Sequence, residues 1–157
     1  MGKEIERKFR VAGSFKAQAY HSFQVKQGYL SSLPERTVRI RVKEGRGYIT
    51  IKGKSNPSGV SRFEWEREIS LDDAEELMQL CEPGVVEKTR YLVRSGNHIF
   101  EVDEFGGENE GLVLAEVELR DERESFVKPE WLGEEVTGRK EYYNTMLVKY
   151  PFKQWKK

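Results

Sequence analysis

Apolar and polar residues alternate with a period of two along most of this chain. The start, MGKEIERKFRV, sets the pattern: Glu4, Glu6, Lys8 and Arg10 share one phase, and Ile5, Arg7, Phe9 and Val11 share the other. Such alternation marks a strand with two unlike faces. The rhythm returns in VKQGYLSS (25–32), RTVRIRVKEG (36–45), YITIKGK (48–54) and SRFEWEREIS (61–70). It returns again in VVEKTRYLVR (85–94), HIFEVDEF (98–105) and LVLAEVELR (112–120), which makes eight predicted strands. Hairpin signals fall between them at Glu44-Gly45-Arg46-Gly47, at Ser95-Gly96-Asn97 and over Gly106–Gly111. Gly53–Ser61, GKSNPSGVS, reads as a longer hairpin loop and not as a phosphate cradle.

Three helices fit around these strands. One is expected over Ser14–Phe23, with Ser14 as its N-cap. LDDAEELMQLC (71–81) opens with acidic residues, as the helix dipole favours, and carries a stripe of Leu71, Ala74, Leu77, Met78 and Cys81. The third is expected in the tail, over KPEWLGEEV (128–136) and then RKEYYNTMLVKY (139–150), stopped by Pro151. Antiparallel strands with helices to one side give an α+β class, with a closed barrel as one form.

Composition narrows the class. A chain of 157 residues suits a single domain over 1–157. Lys plus Arg total 27 and Asp plus Glu total 27, which argues against a basic nucleic-acid binder. No apolar run reaches the length of a membrane span and the N-terminus is no signal peptide. The single cysteine, Cys81, excludes a disulfide framework and a cysteine zinc site, so a cytoplasmic setting is expected. His21 and His98 stand alone in the sequence and form no histidine metal motif. The oligomeric state is left open, a homodimer included.

The charged phases carry the chemistry. Three strands hold Glu-x-Glu: Glu4/Glu6, Glu64/Glu66 and Glu116/Glu118. Three hold a basic pair at the same spacing: Arg39/Arg41, Lys52/Lys54 and Lys88/Arg90. One reading sends these rows to water, as cross-strand partners worth a few tenths of a kcal/mol. The other sends them into a barrel, with the apolar faces outward under the helices. Segregation of sign by strand favours the second. Buried rows of like charge then need an anion for the cations and metal ions for the carboxylates, which a metal-bound polyphosphate supplies together. Carboxylate ligands suit Mg²⁺ or Mn²⁺.

These residues resemble a known family. EIERK at Glu4–Lys8 matches the Glu-x-Glu-x-Lys signature of the CYTH superfamily, the triphosphate tunnel metalloenzymes. QGYL (27–30), VRIR, TIKGK, FEWE, EKTRY, FEVDEF, AEVEL and VTGRKEYYN follow in family order. The resemblance implies an eight-stranded antiparallel barrel whose charged tunnel holds a triphosphate, with flanking helices. It implies metal ligands at Glu4, Glu6, Glu116 and Glu118, assisted by Glu64, Glu66 and Asp103. It implies phosphate contacts from Lys8, Arg39, Arg41, Lys52, Lys88 and Arg90, with Lys54 and Lys140 as further candidates. Lys8 and Tyr29 fit a Lys–Tyr pair at the cleaved phosphate, with Lys8 either a base or a fixed positive charge. Arg10 departs from the family's usual apolar residue and is expected to make the tunnel mouth more basic.

The implied activity is metal-dependent hydrolysis of tripolyphosphate to pyrophosphate and phosphate. The substrate is then a small triphosphate, with no nucleic acid and no membrane as partner. Thiamine triphosphatase, nucleoside triphosphatase, adenylate cyclase of the class IV type and a non-catalytic polyphosphate-binding module are the alternatives that the same residues leave open.

Overall fold

The computed structural model describes residues 2–155. Its strands are β1 (Gly2–Val11), β2 (Ala19–Leu33), β3 (Arg36–Lys43), β4 (Arg46–Ser55), β5 (Ser61–Ile69), β6 (Val86–Ser95), β7 (His98–Phe105), β8 (Val113–Glu118) and β9 (Leu132–Glu135). The two α-helices are α1 (Leu71–Gln79) and α2 (Asn144–Leu147). The sheet runs β5-β4-β3-β2-β6-β7-β8-β1-β9, and a further β5–β1 pairing closes its first eight strands into a barrel. Every pairing is antiparallel. The fold is therefore the α+β barrel with flanking helices that the period-two pattern and the resemblance implied.

Closure depends on β1, which is paired along both edges. Glu6, Lys8 and Arg10 lie opposite Glu118, Glu116 and Leu114 of β8. On the other edge Gly2–Ile5 pair with β5, and Phe9 and Val11 pair with β9. Residues directly opposite each other in an antiparallel pair share a face. Glu4, Glu6 and Lys8 therefore point inward, while Ile5 and Phe9 join an outer core with Phe100, Val102, Val117 and Trp131. A second cluster, with Val86, Phe105, Leu114, Tyr142 and Leu147, fills one end of the barrel with the C-terminal segment.

Helix α1 forms where its pattern placed it. The Ser70 side chain caps it by accepting from the Asp73 N–H at 3.0 Å. It packs on the outer faces of β2, β3 and β4, and two glycines let it approach. A Cβ on Gly47 would lie 2.4 Å from the Ala74 Cβ, and one on Gly28 would lie 3.0 Å from the Cys81 Sγ.

Two expected helices are corrected. Over 14–23 only Lys16–Gln18 makes a 3₁₀ turn, Ser14 caps nothing, and Ala19 onward is strand. Residues 19–27 pair with Val86–Val93, because the long β6 needs a hydrogen-bonding partner along its length. In the tail, KPEWLGEEV yields β9. Its Gly133 passes so close to β1 that a Cβ would lie 3.0 Å from the Arg10 carbonyl oxygen. RKEYYNTMLVKY splits into a 3₁₀ turn at Lys140–Tyr142 and the short α2, parted by an extended Tyr143.

The helix–barrel contact yields a test. Gly47→Val should cost about 1–3 kcal/mol through overpacking and lower the melting temperature by several degrees. Thermal unfolding followed by circular dichroism reads this. An unchanged melt would mean that α1 does not rest on β4 at this point.

Candidate active site

The inward phase makes a tunnel with walls of opposite charge. The three Glu-x-Glu strands, β5, β1 and β8, are neighbours through the closing pairing. They bring Glu4, Glu6, Glu64, Glu66, Glu116 and Glu118 to one side of the cavity. Strands β3, β4 and β6 line it with Arg39, Arg41, Lys52, Lys88 and Arg90, and Lys8 and Tyr29 line it too.

Partial pairing holds these groups in place. Lys52 Nζ donates to both Glu4 oxygens at 2.9 and 3.1 Å and lies 3.7 Å from Glu64. Lys8 Nζ lies 3.6 Å from Glu116 and donates to the Tyr142 carbonyl at 3.1 Å. Arg39 Nη2 reaches Thr50 Oγ1 at 3.1 Å and Glu66 at 3.4 Å. Its Nε is buried with no partner. A buried N–H left unpaired is costly, so this one suits an incoming acceptor.

The acidic wall is less well compensated. No cation among the described residues stands within ion-pair distance of Glu6 or Glu118. Burial, then Glu116 and Glu4, push the Glu6 carboxyl well above the usual carboxylate range. Burial, then Glu4, raise Glu64 and Glu118 as well. Burial works to raise Glu116 too, but Lys8 and Arg90 outweigh it and hold that carboxyl at about 2. Glu4 falls below its ordinary value in the same manner, through Lys52. Crowded carboxylates that repel one another fit a hard divalent cation, which would relieve the repulsion. Among the described residues no three His, Cys, Asp or Glu side chains are already drawn into a metal cage. Lys52, Lys8 and Arg90 occupy part of the acidic wall instead.

The basic wall carries charge of its own. Burial, then Arg39 and Arg90, bring Arg41 down to about 9. Burial brings Lys88 down to about 7, against the pull of Asp103 and with added repulsion from Arg90 and Arg41. Lys8 goes the other way: burial disfavours its charge, but Glu116 and Glu6 outweigh that and raise it.

Three sequence candidates stand elsewhere. Asp103 is buried behind the wall, 2.7 Å from Lys88 Nζ and bidentate to Arg90 at 2.8 and 2.9 Å. Lys54 is exposed and outside the tunnel lining. The β4–β5 register shifts between Lys52 and Ser55, which breaks the alternation, and Ser55 lines the tunnel in its place. Lys140 is exposed on its 3₁₀ turn, while Thr137, Gly138, Tyr143 and Asn144 of the same motif reach the cavity. Arg10 is exposed and is not among the residues that line the cavity; it lies against the Tyr142 ring, 5.8 Å from its centroid.

Sequence reasoning passed over Gln27, Thr50, Glu101 and Asn144. Glu101 shares its phase with Asp103 and was legible; it lines the tunnel and lies 3.2 Å from Arg90 Nη1. Gln27 sits in the QGYL motif, yet an amide on a strand signals nothing by itself. Asn144 arrives from the far end of the chain, and no local pattern places it.

A closed antiparallel barrel with an ionised tunnel defines the class of this protein. The chain belongs to the CYTH domain family, whose model matches residues 2–147. It is 48% identical over 157 residues to the inorganic triphosphatase of Acetivibrio thermocellus, with 99% of each chain covered. It is 39% identical over 150 residues to the inorganic triphosphatase of Nitrosomonas europaea, covering 92% of this chain and 96% of that one. The fold matches the crystal structure of an inorganic triphosphatase with a TM-score of 0.66 at 36% identity, over 92% of this chain and 97% of that one.

The buried triad gives a prediction. Asp103→Asn should leave Lys88 without its carboxylate and Arg90 with only Glu101 and Glu116, and cost about 3–5 kcal/mol of stability. Chemical denaturation measures it. A loss below about 1 kcal/mol would show that Asp103 is not the counter-ion holding this wall.

Proposed function

We propose that this chain hydrolyses inorganic triphosphate to pyrophosphate and phosphate inside the charged tunnel, with Mg²⁺ or Mn²⁺ as its metal. The observation that carries this reading is the opposition of the two walls across one cavity. A linear triphosphate offers anionic oxygens to the basic wall. With a divalent cation bound, it also satisfies the acidic wall. Two relatives matched over nearly their full length bear the name inorganic triphosphatase, which supports the same substrate here.

The residues divide by chemistry. Arg39, Arg41, Lys52, Lys88 and Arg90 hold phosphate oxygens, the arginines through their planar forks. The open Arg39 Nε is one such contact. Glu4, Glu6, Glu64, Glu116 and Glu118 would hold the metal, with Glu66 at the margin. An all-carboxylate set favours Mg²⁺ or Mn²⁺ over softer ions. When bound, a divalent ion supplies charge neutralisation and a more acidic water. Asp103 stays with its two cations and takes no ligand role.

Lys8 acts as a fixed ammonium. Its neighbours Glu116 and Glu6 favour the charged form, so it offers positive charge to the phosphoryl oxygens as charge develops there. The Tyr29 hydroxyl accepts from Gln27 Nε2 at 3.0 Å, which leaves its own O–H to donate to a phosphate oxygen.

The test is phosphate release from tripolyphosphate, thiamine triphosphate, ATP and pyrophosphate, each with Mg²⁺ or Mn²⁺, with cyclic AMP followed in parallel. Tripolyphosphate should turn over fastest. The Glu116→Gln/Glu118→Gln double variant should lose about 100-fold or more of the rate. Full metal-dependent activity in that variant would sink the carboxylate site, and cyclic AMP as the main product would sink hydrolysis. Arg39→Ala should weaken triphosphate affinity about tenfold, as loss of a charge-assisted contact does. Unchanged affinity would remove Arg39 from the clamp.

A further inference from the structure

Arg41 differs from the two other buried arginines of its wall in what it touches. Arg39 reaches the Glu66 carboxylate at 3.4 Å. Arg90 is met by three carboxylates, Asp103, Glu101 and Glu116. Arg41 is met by a neutral amide: its Nε and Nη2 donate to Gln27 Oε1 at 2.9 and 2.7 Å. Gln27 is fully buried. Its Nε2 donates in turn to the Tyr29 hydroxyl at 3.0 Å and to Asn144 Oδ1 at 3.2 Å. Asn144 Oδ1 also accepts from Lys88 Nζ at 2.9 Å. Two amides from opposite ends of the chain thus tie together a guanidinium, an ammonium and a phenol that all line the tunnel.

We propose that Gln27 and Asn144 are positioning residues that fix Arg41, Tyr29 and Lys88 for a triphosphate while leaving the charge of Arg41 uncancelled. A carboxylate in the place of Gln27 would make as good an acceptor for the Arg41 fork. It would also neutralise Arg41 before any phosphate arrived, and once ionised it would have no donor for Tyr29 or Asn144. An amide fixes direction without spending charge. The network is closed: Gln27 uses both its acceptor and its donor atoms, so the aim of Arg41 is set by the amide and not by the substrate. Asn144 extends the same control to the C-terminal segment, because Lys88 meets it only when α2 sits against the barrel end. The inference rests on the triphosphate reading above for its ligand.

The experiment compares Gln27→Glu and Asn144→Asp with the wild type. Each replaces an amide by a carboxylate of the same shape. Tripolyphosphate binding is measured by calorimetry in a chelator, so that nothing is hydrolysed, and thermal melts are recorded beside it. Gln27→Glu should weaken binding about tenfold or more while the melt stays at or above that of the wild type, since the new ion pair holds the fold. Asn144→Asp, on a less buried side chain, should weaken binding in the same direction and serves if Gln27→Glu does not fold. In turnover, Asn144→Leu should lower kcat more than it raises KM, because Lys88 and Gln27 lose their aim, and Asn144→Gln should recover part of the loss. Wild-type affinity in both carboxylate variants would overturn the proposal. Absence of turnover in the wild type would overturn the hydrolase reading alone, because the binding ratios are measured without it.

Discussion

Everything in this structure follows from the double pairing of β1. That strand is hydrogen-bonded to β8 on one edge and to β5 and then β9 on the other. A sheet with free edges would leave its charged face to water. Closed on itself, it has an inside, and the phase of one strand fixes the phase of all. The inward set starts with Glu4, Glu6 and Lys8 and continues by register around the barrel. The apolar set is turned outward, where α1 and β9 cover it, and the C-terminal segment packs on apolar residues at one end of the barrel.

The cost of such an interior is electrostatic, and the strand order manages it. Like-charged strands are grouped, so the acidic and basic walls face each other across a gap instead of cancelling side by side. Pairs form across the two walls, Lys52 with Glu4 and Arg90 with Glu116, and Lys8 pairs with Glu116 within the acidic side. Away from those pairs, burial and then like-charged neighbours push Glu6 up and pull Arg41 down. A site that neutralised itself fully would have little left for a polyanion. One that neutralised nothing would not fold. The buried Asp103 triad secures the scaffold, and the neutral Gln27–Asn144 pair gives direction without cancelling charge.

The chain's ends also converge. β1 carries Lys8, and the C-terminal segment supplies the Tyr142 carbonyl to its ammonium and Asn144 to Lys88. Thr137 Oγ1 accepts from the Lys8 N–H at 2.9 Å, which pins that segment to the same residue. The tail therefore belongs to the site as well as to the apolar end of the barrel.

The sequence by itself determined the strands, their two faces and the sign carried by each. A period of two is a local property, and Glu-x-Glu or Arg-x-Arg needs no tertiary information to point one way. It also determined α1, whose cap and stripe are local. Tertiary structure decided what local pattern cannot reach. Residues 19–24 became strand because β6 offered them hydrogen bonds, and Leu132–Glu135 became strand because β1 had an open edge. A register shift took Lys54 out of the tunnel, and pairing set Asp103 against Arg90 and Lys88. Gln27 and Asn144 meet across 117 residues of chain. Such a contact exists only once the barrel has closed, because it is closure that brings distant residues within hydrogen-bonding reach.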